Sequence, residues 1–163
     1  MTIATLDDLF LHTLKDALYA ERKILRALPR MARRATDPGL RAALAAYQDA
    51  TEEHIIRLET VFDLIGKPVR GAKCEAMVGL IDEADGLIAN IDDAGTMDAA
   101  LIASAQAVAH YEIARYGSLV AWAADLGKSD AAGLLKVTLK EECATDKELS
   151  RMAAEGPVSM AVA

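Results

Sequence analysis

Three glutamates and a histidine occupy places where a helical leucine stripe calls for apolar side chains. Glu21 falls within the run Leu14, Leu18, Leu25, Leu28, and Glu112 within Leu101, Ala105, Val108, Tyr116, Leu119. Glu142 and Asp146 interrupt Leu135, Leu139, Leu149, and His54 stands between Tyr47, Thr51 and Leu58, Phe62. Residues three and four apart share one face of a helix, so each group points where its apolar neighbours point. A buried, unpaired carboxylate is strongly destabilising. Inward acids on several helices therefore call for a cation, and a pair of metal ions held by carboxylates is the first chemistry to consider.

Such a site takes a single Glu from each of two helices and a two-residue motif, usually Glu-x-x-His, from each of the other two. Glu21 and Glu112 supply the single acids, while Glu142 and Asp146, four apart, supply one pair. His54 supplies the imidazole, but Thr51 stands three residues before it and Thr145 three after Glu142, so both Glu-x-x-His matches are incomplete. Four carboxylates and one imidazole suit iron or manganese better than zinc or copper, with two ions or one per chain. Each residue also has an ordinary reading. Glu21 can pair with Arg22 or Lys23, Glu112 with Arg115, and Glu142 belongs to the charged run Lys140-Glu141-Glu142. Tyr47 and Tyr116 read as core packing or as hydrogen-bond donors to the site. His12 and His110 read as surface residues. The coincidence of all the inward positions at one level favours the metal centre.

The elements that position these residues are punctuated clearly. Thr5 with Asp8 forms a capping box for a helix from Leu6 to Ala35 that contains Pro29. Asp37-Pro38 starts a second helix, which runs to Ile65 before Gly66. A shorter amphipathic helix is predicted over Cys74 to Ile91, followed by a break at Asp92-Asp93-Ala94-Gly95-Thr96. A long helix covers Met97 to Leu126, and Ser129 caps the last, which ends near Glu155. The short links make antiparallel neighbours of the first and second long helices and of the third and fourth. About 30 residues join the second long helix to the third, enough for a crossover that leaves them parallel. The expected fold is all-α, a ferritin-like four-helix bundle with one long crossover carrying an extra short helix. Residues 1–156 form a single domain, and 157–163 are expected to be a flexible tail.

Composition narrows the function classes. Acidic residues number 25 against 18 basic, a net charge of −7, which argues against nucleic acid or an anionic membrane as partner. Cys74 and Cys143 have no metal-ligand spacing, which with the absence of a basic n-region at the start suggests a reducing cytoplasm. No stretch approaches the apolar length of a membrane span. No nucleophile–base pair or phosphate loop is evident.

Several strings resemble one family. Leu18-Tyr19-Ala20-Glu21-Arg22-Lys23, Ala27-Leu28-Pro29-Arg30-Met31-Ala32, Arg57-Leu58-Glu59-Thr60-Val61-Phe62 and Lys73-Cys74-Glu75-Ala76-Met77 are similar to the bacterial YciE/YciF-type ferritin-like stress proteins. So are His110-Tyr111-Glu112-Ile113-Ala114-Arg115-Tyr116-Gly117 and Glu141-Glu142-Cys143-Ala144-Thr145-Asp146. The resemblance runs from about Leu6 to Ala154. It implies a ferritin-like bundle, usually a homodimer, with a candidate di-metal centre and a link to stress responses. It departs from the family pattern at Ala50 and Ala109, where acids commonly stand, which leaves fewer charges to balance two ions. Two functions follow as expectations. One is a di-metal carboxylate protein that handles Fe(II) or oxidants during stress. The other is a non-enzymatic structural or docking protein with a degenerate metal site.

Overall fold

A computed structural model describes residues 3–156 of the chain; the tail expected over 157–163 lies outside the described residues. Among the described residues, five helices run in the order α1 (Leu6–Arg34), α2 (Pro38–Leu64), α3 (Glu75–Asn90), α4 (Ala94–Asp125) and α5 (Ser129–Glu155). The capping box at α1 is present: Asp8 donates its backbone N–H to Thr5 Oγ1 at 3.1 Å, and Thr5 returns its own to Asp8 Oδ2 at 3.0 Å. Asp37 Oδ1 accepts from Leu40 N at 2.7 Å and caps α2 ahead of Pro38.

Two helix starts differ from expectation. α4 begins at Ala94 rather than Met97, because Asp93 Oδ2 accepts from Thr96 N at 2.8 Å and turns the expected break into an N-cap. Ser129 is the first residue of α5 rather than its cap; Lys128 holds the cap position without a side-chain bond. Gly66 (φ 65°) and Gly127 (φ 70°) end α2 and α4 in the left-handed region. There Lys67 N reaches back to Phe62 O, and Lys128 N to Ala123 O.

Cross-helix pairs give the directions. Thr36 and Asp37, between α1 and α2, bond to Asp98 near the start of α4, so α2 and α4 start at the same end. Lys128, after α4, pairs with Asp7 at the start of α1, which sets α1 antiparallel to α4. Gln106 meets Ser150, and Arg57 meets Thr138, so α5 is antiparallel to α4 and α2. α2 and α4 are therefore parallel, as a single crossover requires. The connection climbs along α1, where Ala72 N bonds to Lys15 O at 3.0 Å. It continues as α3, held to α1 by Arg30–Asp85 and Lys23–Asp82.

The core is split in two. One apolar cluster contains Phe10, Leu14, Leu18, Leu58, Phe62, Leu119 and Leu135. The other gathers Ile24, Leu28, Leu40, Leu44, Leu101 and Val108 with Met77 and Ile81 of α3. Glu21, Thr51, His54, Glu112 and Glu142 are buried and belong to neither cluster. By position along every long helix they form a polar layer between the two. The buried stripe of α1 passes through Ile24 rather than Leu25, and that of α5 through Thr138 rather than Leu139.

Candidate metal centre

Each of the four long helices contributes a buried ionisable side chain to the layer: Glu21 from α1, His54 from α2, Glu112 from α4 and Glu142 from α5. The salt bridges that would have explained them away are made by other residues. Arg22 pairs with Glu59 at 2.9 Å, Lys23 with Asp82, and Arg115 lies over the Tyr111 ring. His54 Nδ1 faces Glu21 Oε1 at 3.2 Å and Glu142 Oε1 at 3.3 Å, both outside hydrogen-bond alignment.

Two tyrosines fasten the acids. Tyr47 directs its hydroxyl to Glu112 Oε2 and Glu142 Oε2, each at 3.0 Å, and Tyr116 donates to Glu21 Oε1 at 2.5 Å. Both rings are buried, so they are packing residues and donors at once. Burial together with the nearby carboxylates holds both phenols well above their ordinary range, which keeps them protonated as donors. Thr51 donates to Tyr47 O at 2.8 Å within α2.

Burial also pushes the three glutamates up. Glu21 is raised well above the ordinary carboxyl range by desolvation and then by Glu142, and Glu112 by desolvation and then by Glu21. Glu142, raised by desolvation and by Glu112, is pushed up to about 9. Like charges in a dry site cannot all ionise, so without a cation this layer holds protons at neutral pH. Burial lowers the His54 pKa, which favours the neutral ring.

The outward side of His54 shows which nitrogen carries the proton. Nε2 lies 3.1 Å from Glu141 Oε2, and Arg57 grips both Glu141 oxygens at 2.6 and 3.0 Å. Burial alone would raise Glu141, but the Arg57 bonds and charge, with His54, bring it below its usual value. An ionised carboxylate only accepts, so Nε2 donates and Nδ1 is left with its lone pair facing the layer. Three buried atoms there have no hydrogen-bond partner: Glu21 Oε2, His54 Nδ1 and Glu142 Oε1. Among the described residues, no three His, Cys, Asp or Glu side chains already close on one point as a cation cage.

Four of the five expected ligands are thus brought together, and Asp146 is not. It turns into the seam between α4 and α5, where Oδ1 lies 2.8 Å from the exposed His110. One turn plus 40° beyond Glu142 is enough to swing it off the inward face. Ala109 is fully buried and Ala50 half-buried, so neither position returns an acid to the layer. Sequence reasoning left Glu141 in a solvated run and passed over Arg57. The spacing of three between His54 and Arg57 was the available signal for the latter.

Comparison with known proteins agrees with this architecture. Residues 5–161 match the family described as a domain of unknown function, DUF892. Protein YciF of Escherichia coli K12 is 42% identical over 154 residues, covering 94% of this chain and 93% of that protein. The crystal structure of the E. coli stress protein YciF superposes with a TM-score of 0.89 at 42% identity, covering 93% of this chain and 96% of that one. YcfI from Rhodopseudomonas palustris gives 0.89 at 45% identity, covering 91% of this chain and 94% of that one. A Xanthomonas campestris protein shares the fold at 19% identity, with a TM-score of 0.75 and 93% of each chain covered.

Proposed function

This chain belongs to the DUF892 family, and we propose that its bundle serves a stress response in the cytoplasm by holding iron or manganese on Glu21, His54, Glu112 and Glu142. The observation that carries this reading is the set of orphaned donor atoms. Glu21 Oε2, His54 Nδ1 and Glu142 Oε1 come from three helices, are buried, and lack partners. Leaving such groups unpaired is unfavourable unless something else engages them. Oxygen donors with one imidazole fit a hard or borderline divalent ion.

The chain's own residues set the terms. Tyr47 and Tyr116 hold the acids in place and give up acceptor oxygens when an ion enters. Glu141 and Arg57 fix the ring of His54 so that Nδ1 stays inward, the outer-shell arrangement that orients ligating histidines. The two apolar clusters exclude water from above and below. With Ala50 and Ala109 supplying no charge, these four ligands balance one ion better than two. A bound iron would supply one-electron exchange with an oxidant, and the protein would supply its containment.

Elemental analysis of protein purified without added metal tests this directly. The expected result is about one iron or manganese per chain, together with a thermal upshift on adding Fe(II) or Mn(II). Protein with no metal and no shift refutes the reading. The scaffold alternative, a bundle with a degenerate site, draws support from the tyrosine-capped, proton-holding acids. It predicts that Glu21→Ala leaves every response to metal unchanged. The proposed oligomer is a homodimer, and a monomer mass by light scattering would reject it.

A further inference from the structure

Asp146 and His110 stand outside the carboxylate layer and have no part in the reading above. They face each other across the seam of α4 and α5, His110 Nε2 to Asp146 Oδ1 at 2.8 Å. The seam is pinned one turn away on each helix, where Gln106 Nε2 donates to Ser150 Oγ at 3.0 Å. The His110 side chain is 67% exposed, whereas that of Asp146 is 23% exposed and its Oδ1 is buried. At 2.8 Å an imidazole N–H aimed at that oxygen would make an ordinary hydrogen bond. None is made, and Asp146 Oδ1 has no hydrogen-bond partner. His54 gives the contrast: its Nε2 lies further from Glu141 Oε2, at 3.1 Å, yet is aligned for a bond.

A nitrogen and an oxygen that are close but not aimed at each other are set as two ligands of one ion are. Donors about 2.1 Å from a common centre and near a right angle apart lie about 3 Å from each other. Imidazole disfavours the alkaline-earth cations, which take oxygen ligands, and suits ferrous, nickel or zinc ions. We infer that His110 and Asp146 form a second site for a divalent transition-metal ion, at the surface and separate from the layer. Among the described residues no third His, Cys, Asp or Glu joins the pair. Water therefore fills the other coordination positions, which the exposure of His110 allows. Such a site holds ions that solvent can still exchange. Asp146 follows Glu142 by four residues, so an ion held here is about one turn of α5 from the layer.

Crystals soaked in zinc chloride test the site, with the zinc located by its anomalous scattering. Zinc is expected between His110 Nε2 and Asp146 Oδ1. Calorimetry with Zn(II) should show a binding event weakened at least tenfold by His110→Gln and by Asp146→Asn. His12→Gln, which alters the other exposed histidine, should leave that event in place. His110→Gln changes an exposed side chain and Asp146→Asn keeps its shape, so both variants should fold, which circular dichroism checks. No zinc at the pair, or binding unaltered in both variants, overturns the inference. Zinc in the carboxylate layer alone overturns it as well. Zinc at the pair with the layer empty supports it and leaves the layer to its own test above.

Discussion

Replacing Glu142 by glutamine should stabilise the metal-free protein, and the gain should depend on pH. Glu142 is fully buried, and its carboxyl is pushed up to about 9 against 4.5 for a free side chain. The folded protein therefore keeps the proton at pH 7, while the unfolded chain releases it. A raised carboxyl gives a contribution to stability that is complete below pH 4.5 and declines as pH climbs towards 9. Between 4.5 and 7 the loss follows about 1.4 kcal/mol per unit, so on the order of 3 kcal/mol separates the acid from a neutral isostere. The glutamine amide also has a donor for the unpartnered Nδ1 of His54 and an acceptor for Tyr47. Urea unfolding of metal-free native and Glu142→Gln protein at pH 4.5, 7 and 8.5 measures the difference. The curves should meet at the lowest pH and diverge above it, with the variant more stable at pH 7. Parallel curves across the range would refute the picture of a proton held in this layer.

Two further outcomes follow from contacts outside the acids. Arg57→Met frees Glu141 from its two-pronged grip, so metal affinity should fall about 10- to 100-fold while the fold persists; titration with Mn(II) by calorimetry reads this. Asp98 is buried and accepts from Thr36 N at 2.7 Å and Asp37 N at 2.9 Å, so Asp98→Ala should cost about 2–4 kcal/mol in denaturant unfolding by stranding two backbone donors.

Glu21, His54, Glu112 and Glu142 could be picked out from the sequence because helical periodicity is a local property. A charged residue on an apolar stripe declares that it faces inward, whatever it meets there. The single crossover was legible for a similar reason, since the short turns at Ala35–Asp37 and Leu126–Lys128 leave only the long middle connection able to return along the bundle. Asp146 was misplaced because a spacing of four tolerates 40° of drift, and the neighbouring helix decides which side that drift falls on. The same limit applies to Tyr47 and Tyr116, whose hydroxyls could be assigned partners only once α1, α4 and α5 were set beside them.

By itself the amino-acid sequence determined the helices, the caps of α1 and α2, the all-α bundle and the presence of inward acids, because these depend on neighbours within a turn or two along the chain. Only the tertiary structure decided that the acids are capped by tyrosines, that Glu141 and Arg57 orient His54, and that Glu21 Oε2, His54 Nδ1 and Glu142 Oε1 are left unpaired. Those contacts join residues 65 to 95 positions apart. Their partners are chosen by how four helices settle against one another, which no single helix encodes.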